Sequence, residues 1–232
     1  MANILITGSS RGIGAAIFAS LQGHNLVGHS TAGGDRAVAA DFSDPEQVTA
    51  LWWEAMGTLD GRIDVLINNA GVFEATPIEQ ADESWLSGWE RTMQVNLTAS
   101  AALCRLAVLH CRETGGGRIV NVSSRAAYRG DSPQHWHYAA SKAGMIGMTK
   151  SIARGYAAEN ILAFAVCPGF TMTGMAEDYV ASRGGDKLLA DIPLGRVASA
   201  EEVAETVRWL AVDAPPSATG AVIDVNGASY VR

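Results

Sequence analysis

The sequence has few cysteines, no run of like charge and no long apolar stretch, and each of these absences argues against a class of protein. The three cysteines, Cys104, Cys111 and Cys167, are odd in number and lack the spacing of metal ligands, so we expect neither a disulfide framework nor a metal site. They are predicted to be buried thiols in a reducing compartment. No apolar stretch reaches the roughly 20 residues of a membrane span, and no basic segment precedes the first apolar run. We therefore expect a cytoplasmic protein with no membrane partner.

The charge balance is acidic, with a formal net charge of −7 from 17 Lys and Arg against 24 Asp and Glu. A chain without a basic patch lacks the electrostatic surface that nucleic-acid binding needs, so no nucleic-acid partner is expected. Local binding of a phosphate group by backbone amides and a few cations stays open.

Short apolar runs alternate with longer helix-periodic stretches along the whole chain. This alternation predicts an α/β fold in which a doubly wound parallel sheet of about seven strands is covered by helices on both faces. No linker or repeat interrupts the pattern, which predicts a single domain over residues 1–232. The predicted strands cover residues 3–7, 25–30, 37–40, 65–68, 118–123, 161–167 and 221–225.

Two helix starts are well marked. Asp44 precedes a proline and a capping-box glutamine, Gln47, while Ser199 precedes the capping-box residue Glu202. The least regular stretch runs from 168 to 197. An insertion of this length predicts a substrate lid, the alternative being an ordinary surface excursion.

A glycine-rich turn, Thr-Gly-Ser-Ser-Arg-Gly-Ile-Gly at residues 7–14, follows the first predicted strand directly. Glycine permits a tight turn and lets backbone N–H groups approach a pyrophosphate, and the helix that follows adds partial positive charge at its N-terminus. A turn of this kind between a strand and a helix, at the start of an α/β chain, predicts dinucleotide binding.

Tyr138 and Lys142 lie four residues apart, so we expect their side chains on one helix face. An ammonium beside a phenol favours the phenolate and is expected to lower the tyrosine pKa, which gives a proton donor and acceptor usable near neutral pH. The spacing alone is more often that of a solvated surface pair, so the rest of the chain has to decide.

Several further motifs, taken in order, resemble those of the short-chain dehydrogenase/reductase family. The resemblance spans nearly the whole chain and implies a single-domain Rossmann fold and an NAD(P)-dependent oxidoreductase. The motifs are residues 7–14, Asn-Asn-Ala-Gly at 68–71, Asn96, the set Ser124, Tyr138 and Lys142, Pro168-Gly169, and Val-Asn-Gly at 225–227.

The resemblance implies a catalytic set of Asn96, Ser124, Tyr138 and Lys142. Tyr138 is expected to protonate the carbonyl oxygen as hydride arrives, or to deprotonate the alcohol in reverse. Ser124 is expected to hold and polarise the substrate oxygen, with Ser123 as the alternative. Lys142 is expected to hydrogen-bond the nicotinamide ribose. Asn96 is expected to hold a water in a proton relay, the alternative being a buried asparagine bonded to a broken helix turn.

The same resemblance implies the cofactor contacts. Asp41 falls where the family's aspartate contacts the adenine, with a strand-end cap as the alternative. Thr171 and Thr173 are expected to meet the nicotinamide carboxamide. The expected cofactor-binding residues are Gly8, Ser10, Arg11, Gly12, Ile13, Gly14, Ser30, Asp41, Phe42, Asn69, Ala70, Gly71, Tyr138, Lys142, Pro168, Gly169, Thr171 and Thr173.

The end of the second predicted strand favours NADP(H) over NAD(H). A carboxylate there would bond the ribose 2′-hydroxyl and repel a 2′-phosphate, and the segment 27–31 has none. Arg11 adds a cation near the adenosine ribose, and Arg36 is a second candidate. NAD(H) stays the alternative.

The expected activity is that of a carbonyl reductase or alcohol dehydrogenase acting on a small ketone or secondary alcohol. Likeness to the 3-oxoacyl-[acyl-carrier-protein] reductases makes that activity the main alternative. However, Gly115 and the pair Glu159 and Asn160 stand where carrier-dependent members have arginines. A sugar-nucleotide epimerase or dehydratase and a catalytically silent cofactor-binding regulator are further alternatives.

A homo-oligomer, either a tetramer or a dimer, is expected by resemblance, built through helices over 89–114 and 138–158. The residues expected to select the substrate lie next to the motifs in the sequence and at the start of the predicted lid. The expected pocket residues are Phe73, Arg125, Trp136, His137 and Phe170.

Overall fold

A seven-stranded parallel sheet forms the centre of the computed structural model, which describes residues 1–172 and 189–232. The strands are β1 (Asn3–Ile6), β2 (Asn25–Ser30), β3 (Ala37–Ala39), β4 (Val65–Asn68), β5 (Gly117–Val122), β6 (Ile161–Pro168), β7 (Thr171–Met172), β8 (Ala198–Ser199) and β9 (Val222–Val225). The main sheet has the order β3-β2-β1-β4-β5-β6-β9, and β7 pairs with β8 in a separate parallel ladder.

Helices cover both faces of the sheet. One face carries α1 and α7, and the other carries α2, α4 and α6. The α-helices are α1 (Gly12–Ser20), α2 (Pro45–Thr58), α3 (Asp82–Met93), α4 (Ala99–Thr114), α5 (Ala126–Arg129), α6 (Trp136–Tyr156) and α7 (Ala200–Arg208). Single π-helical turns follow α3 and α7, at Gln94–Thr98 and Trp209–Asp213, and 3₁₀ turns lie at Ala157–Glu159 and Pro216–Ala218.

Each face of the sheet has its own apolar core. Successive residues of β1 point to opposite faces, as the strand period of two requires. Ile4 and Ile6 accordingly pack in the core that contains Val207, whereas Leu5 packs in the core that contains Trp52. Burial on both sides explains why the strands read as continuous apolar runs rather than as alternating ones.

The predicted fold class is confirmed. All seven predicted strands are present, and their ends differ from the prediction by at most one residue. Asp44 caps α2 by accepting from the Glu46 N–H at 2.9 Å, and Ser199 forms the predicted capping box with Glu202. The capping-box role of Gln47 is wrong, because its Oε1 accepts from the Asp41 N–H at 2.8 Å instead.

Two structural features near the predicted lid were not predicted from the sequence. The chain between Ser124 and Tyr138 folds into the short helix α5, which no periodic pattern predicted. The start and the end of the lid segment pair with each other as β7 and β8. Residues 173–188 of that segment lie outside the described residues.

The strand order creates a crevice at one edge of the sheet. Neighbouring strands β1 and β4 lead to helices on opposite faces, α1 on one and α4 on the other. In doubly wound sheets, ligands bind outside the carboxyl ends of the strands at such a reversal. The glycine turn follows β1 at this edge, and the segment 69–71 follows β4.

Two expectations from composition concern the thiols and the membrane. Cys104, Cys111 and Cys167 are free and buried, as predicted, and burial raises the pKa of Cys104 to about 12. Thiols with so little thiolate are poor nucleophiles. In the two described ranges, no helix has both the length and the apolar character to cross a membrane.

Candidate active site

The turn after β1 reaches α1 through two glycines with positive φ, Gly8 at +67° and Gly12 at +54°. Residues with a side chain are strained in this region of backbone conformation. A Cβ on Gly14 would lie 1.9 Å from the Gly8 carbonyl oxygen. The turn therefore requires glycine at these positions in order to bring the start of α1 so close to the strand end.

Thr7 and Asn69 fasten this turn to the end of β4. The Thr7 hydroxyl oxygen accepts from the backbone N–H groups of Asn69 and Ala70, each at 3.0 Å. Asn69 Nδ2 donates to the carbonyl oxygens of Thr7 at 3.1 Å and Gly8 at 3.0 Å. The Asn69 side-chain amide therefore shapes the predicted cofactor site by holding its backbone.

His29 supports the same turn from β2, a contact that the sequence did not predict. Its Nδ1 accepts from the Gly8 N–H at 3.1 Å, and its Nε2 lies 2.9 Å from the Ala40 carbonyl oxygen. Because a carbonyl oxygen only accepts, Nε2 carries the hydrogen and the ring is neutral. Burial lowers the pKa of His29, and the ring stacks on Phe42 with centres 4.2 Å apart. The only signal in the sequence was one titratable residue within an apolar strand.

The N-terminus of α1 has the features of an anion site. Its N-cap residue, Arg11, makes no capping side-chain hydrogen bond within the described part of the chain, and the first turn contains no acidic residue. In α2 and α7, by contrast, the side chains of Asp44 and Ser199 take that place. Helix N–H groups without a side-chain cap attract phosphate oxygens. The turn and this helix start therefore fit the diphosphate of a dinucleotide, which Ser10, Gly12 and Ile13 would contact.

The predicted adenosine contacts differ in how their side chains are engaged. The Ser30 hydroxyl donates to the Gly33 carbonyl oxygen at 3.1 Å. The Asp41 residue is half-buried, and its carboxylate accepts from the Ser43 N–H at 2.9 Å, which holds the Asp41 pKa below its ordinary value. Phe42 buries its ring against His29. Asp41 is thus placed at the surface beside the crevice, whereas the ring of Phe42 belongs to the core.

The two candidate cations for a 2′-phosphate are also separated. Arg11 is exposed in the glycine turn. Arg36 lies over the Phe18 ring, 5.0 Å from its centre, and its Nη1 donates to Gln22 at 3.4 Å. Arg36 is therefore engaged with α1 and its C-terminal turn, which leaves Arg11 as the cation in the turn itself.

Ser124 and Tyr138 meet at the carboxyl end of β5. Ser124 acts on Tyr138 as a hydrogen-bond partner that lowers the phenol pKa, and Ser124 Oγ accepts from the Ala126 N–H at 3.1 Å. Ser123 Oγ donates to the Lys142 carbonyl oxygen at 2.8 Å and is directed into helix α6. This arrangement favours Ser124 over Ser123 as the residue that would hold a substrate oxygen.

The predicted lowering of the Tyr138 pKa by Lys142 is wrong for the chain by itself. Burial raises the pKa of Tyr138, and the hydrogen bond with Ser124 offsets only part of that rise. Lys142 Nζ lies 5.8 Å from the Tyr138 ring centre and donates to the Val122 carbonyl oxygen at 2.9 Å. Burial lowers the pKa of Lys142 to about 8. The ammonium is therefore close to the phenol but is bonded to the strand.

Asn96 sits in the π-helical turn after α3 and binds the loop that follows β4. Its Oδ1 accepts from the Val72 N–H at 2.7 Å, and its Nδ2 donates to the Val72 carbonyl oxygen at 3.0 Å. A Cβ on Gly71 would lie 3.1 Å from Asn96 Oδ1 and 3.6 Å from Lys142 Nζ. The structure thus brings Asn96, Gly71 and Lys142 together. The proton relay stays a prediction.

The predicted nicotinamide contacts follow β6. The Gly169 N–H donates to the Val225 carbonyl oxygen at 2.9 Å, and a Cβ on Gly169 would lie 2.7 Å from the Cβ of Asn226. The Thr171 hydroxyl donates to the Gly169 carbonyl oxygen at 3.2 Å. Pro168 ends β6, and Thr173 lies outside the described residues. Glycine is therefore required where β6 and the end of β9 touch.

Phe73 and His135 form an aromatic wall beside Tyr138. Their rings are stacked with centres 3.9 Å apart and an interplanar angle of 4°. The Phe73 ring also meets Tyr138 edge-on, with centres 4.8 Å apart. Phe73 was a predicted pocket residue, and His135 belongs to the segment Gln-His-Trp-His at 134–137, beside the predicted pocket residues Trp136 and His137.

Trp136 and His137, the other aromatic pocket candidates, face different surroundings. His137 is buried, its Nε2 lies 2.8 Å from Thr76 Oγ1, and its ring stacks on Trp89 with centres 6.4 Å apart. Trp136 is 52% exposed. His137 therefore joins α6 to the segment before α3. Phe170 leads into β7, and its carbonyl oxygen accepts from the Ala198 N–H at 3.3 Å.

Arg125 follows Ser124 directly, and its side chain is only 14% exposed. Its Nη1 lies 3.7 Å from Asp191 Oδ2, which in turn accepts from Arg129 Nη1 at 2.8 Å. Asp191 and Arg129 were not predicted, because they join the site only through the folded arrangement of α5 and the segment before β8.

Comparison with known proteins gives consistent results over nearly the full length. A family model described as Enoyl-(Acyl carrier protein) reductase matches residues 10–228. A 3-oxoacyl-[acyl-carrier-protein] reductase of Aquifex aeolicus is 34% identical over 97% of this chain and 96% of its own. Nodulation protein G of Rhizobium meliloti is 36% identical, with 96% and 94% covered. An acetoacetyl-CoA reductase of the same organism is 32% identical, with 97% of each chain covered.

Proposed function

The chain belongs to the short-chain dehydrogenase/reductase family and is an NAD(P)-dependent oxidoreductase of CH–OH groups, and from this we propose an NADP(H)-dependent enzyme that interconverts ketones and secondary alcohols. The observation that carries the proposal is the placement of Ser124, Tyr138 and Lys142 at the strand edge that also holds the glycine turn, with Ser124 just after the end of β5 and Lys142 Nζ bonded to the Val122 carbonyl oxygen. A panel of ketones and secondary alcohols, followed by NADPH absorbance at both pH 7 and pH 9, tests it. No turnover on any of them would contradict it.

The proposed mechanism assigns proton transfer to Tyr138. Bound NADPH would supply the hydride that the carbonyl carbon receives. Tyr138 gives its phenolic proton to the carbonyl oxygen, so that ketone, hydride and proton together make the alcohol. Ser124 donates a hydrogen bond to the same oxygen and stabilises the negative charge that develops on it. In the reverse direction, Tyr138 takes the hydroxyl proton.

Lys142 is assigned a positioning role. It is buried, its pKa is lowered to about 8, and its Nζ donates to the Val122 carbonyl oxygen at 2.9 Å. This bond holds α6 against the end of β5, beside Tyr138. Its place beside Gly71 and Asn96 supports the ribose contact that the family resemblance implies.

The preference for NADP(H) rests on the end of β2 and on Arg11. The segment 27–31 carries no carboxylate, and Arg11 is exposed in the turn. Arg11→Gln is expected to lower kcat/KM for NADPH by about tenfold, because a charge-assisted contact to a 2′-phosphate is lost. The value for NADH should change little. A tenfold preference of the unaltered protein for NADH would contradict the proposal.

A 3-oxoacyl-[acyl-carrier-protein] reductase is the second candidate, favoured by the relatives with that printed name. The carrier contact is its weak point, because Arg112 is bonded to Glu159 through both carboxylate oxygens, at 2.6 and 3.0 Å. Comparing kcat/KM for acetoacetyl-[acyl carrier protein] with that for the free ketones separates the two candidates. A large advantage of the carrier-bound substrate would favour the second.

We also propose a homo-oligomer, a tetramer or dimer, joined through α4 and α6. A groove of about 340 Å³ between these helices is lined mainly by apolar side chains, and Leu109 is 43% exposed. Apolar surface of this kind is typical of protein interfaces. Light scattering at micromolar concentration measures the mass, and a monomer would contradict the proposal. The apolar lining residues are Ala101, Cys104, Val108, Leu109, Met148, Ile152 and Tyr156, and Arg105 and Arg112 complete the lining.

A further inference from the structure

Arg125 places a positive charge in a largely buried position directly after Ser124. The side chain is 14% exposed, and the residue is the N-cap of helix α5. The Arg125 N–H donates to the Pro168 carbonyl oxygen at 2.9 Å. The residue is therefore fixed between the ends of β5 and β6. A buried guanidinium is unfavourable unless its donors and its charge are satisfied by an anion.

The surrounding carboxylates balance part of this charge but leave the guanidinium donors incompletely satisfied. Asp191 Oδ2 accepts from Arg129 at 2.8 Å but is 3.7 Å from Arg125 Nη1, which is too long for a hydrogen bond. Arg129 adds a second positive charge, and Asp131 adds a negative one at longer range. Within the described residues, Arg125 Nη1 is buried without a hydrogen-bond partner.

We propose that Arg125 and Arg129 form a subsite for a carboxylate on the substrate, so that the preferred substrates are oxo acids and the corresponding hydroxy acids. This inference rests on the proposed function of the Ser124 and Tyr138 pair. Guanidinium groups bind carboxylates through charge-assisted hydrogen bonds. Asp191, which is 53% exposed, holds Arg129 and competes with the substrate for the same donors.

The spacing limits which oxo acids fit. Ser124 and Arg125 are consecutive, so their Cα atoms lie about 3.8 Å apart. We expect a substrate whose ketone oxygen contacts Ser124 to reach the guanidinium with a carboxylate only a few bonds away. The 2-, 3- and 4-oxo acids differ in the number of bonds between the ketone and the carboxylate. Comparing their kcat/KM values therefore shows which separation the subsite accepts.

The experiment compares each acid with its neutral methyl ester, for example acetoacetate with methyl acetoacetate. The measured quantity is the ratio of kcat/KM for acid to that for ester, in the unaltered protein and in two variants. Arg125→Gln is expected to lower this ratio by about tenfold or more, because the charge-assisted contact is lost. Asp191→Asn is expected to raise it, because the competing carboxylate is removed.

The two variants predict opposite changes, which a general loss of folding cannot produce. If Arg125→Gln does not fold, Asp191→Asn decides, since its side chain is half exposed. A ratio that neither variant changes, or that Asp191→Asn lowers, would overturn the inference. If no ketone is turned over, the proposed function fails separately. The subsite is then tested by whether acetoacetate raises the Tm of the unaltered protein but not of Arg125→Gln, and equal shifts would overturn it.

Discussion

The cofactor side and the substrate side of the same sheet edge are held in different ways. On the cofactor side, Thr7, His29 and Asn69 use their side chains to bond backbone groups across three strands. On the substrate side, Phe73 and His135 stack on each other, and Phe73 is 49% exposed. The first side is fixed by obligatory hydrogen bonds, whereas the ring pair of Phe73 and His135 is fixed by contacts that tolerate exchange.

This difference has an energetic basis. Removing a side chain that satisfies a buried N–H or C=O leaves that group unpaired, which costs about 1–3 kcal/mol. An exposed stacked ring or surface ion pair contributes less, commonly below about 1 kcal/mol. Substrate-side residues can therefore change with little loss of stability. We infer that specificity resides there, while the cofactor turn admits few substitutions.

The largest expected effect is at Tyr138, where the two sides meet. Tyr138→Phe keeps the ring and its edge contact with Phe73 but removes the proton donor. We expect kcat to fall about 10²–10⁴-fold, the range for loss of a general acid–base group. Steady-state kinetics measures this, and NADPH binding by fluorescence titration is the control, which should be nearly unchanged. Undiminished turnover would remove Tyr138 from the mechanism.

The fold and the motif residues were predictable from the sequence, whereas the contacts that tune the site were not. Apolar runs and turn residues are local signals, so strands such as β2 and β5 appeared with nearly correct ends. The contact of His29 with Gly8 joins residues 21 positions apart, and that of Arg129 with Asp191 joins residues 62 apart. No local pattern contains such pairs. The expected effect of Lys142 on Tyr138 also failed, because spacing gives a shared helix face but not the hydrogen bond to Val122.

The second largest expected effect comes from replacing histidine with phenylalanine, once on the cofactor side and once on the substrate side. His29→Phe leaves the Gly8 N–H and the Ala40 carbonyl oxygen without their partner, and we expect unfolding free energy to fall by about 1–3 kcal/mol. NADPH affinity should fall as well, because Gly8 begins the cofactor turn. The matched control is His135→Phe, which keeps a ring against Phe73. Its stability should change by less than about 0.5 kcal/mol. Equal losses in urea unfolding would break the comparison.

Stability against pH sharpens the same test. Burial lowers the pKa of His29 from 6.5, so the native ring stays neutral where the unfolded ring takes up a proton. The stability that the neutral His29 ring contributes is present above pH 6.5 and is lost as the pH falls toward the lower pKa of the native ring. The unaltered protein should therefore lose more stability between pH 7 and pH 5 than His29→Phe does. A parallel pH dependence of the two proteins would show that His29 is not the buried neutral base described above.

The smallest expected effect on stability is that of Phe73→Leu, for which the Tm should stay nearly constant while kcat/KM changes. Phe73→Leu removes a stack with His135 and an edge contact with Tyr138, each worth about 0.5–1.5 kcal/mol, and much of this is offset because the ring is half exposed. We expect the Tm to change little and kcat/KM to change by up to about tenfold, unequally among ketones of different bulk. The matched variant is Phe42→Leu on the cofactor side, where the buried ring stacks on His29 and the expected loss is about 1 kcal/mol or more. If Phe73→Leu destabilises the protein as much as Phe42→Leu, the substrate side is as rigidly specified as the cofactor side. If its effects on ketones are uniform, Phe73 supports Tyr138 rather than selecting the substrate.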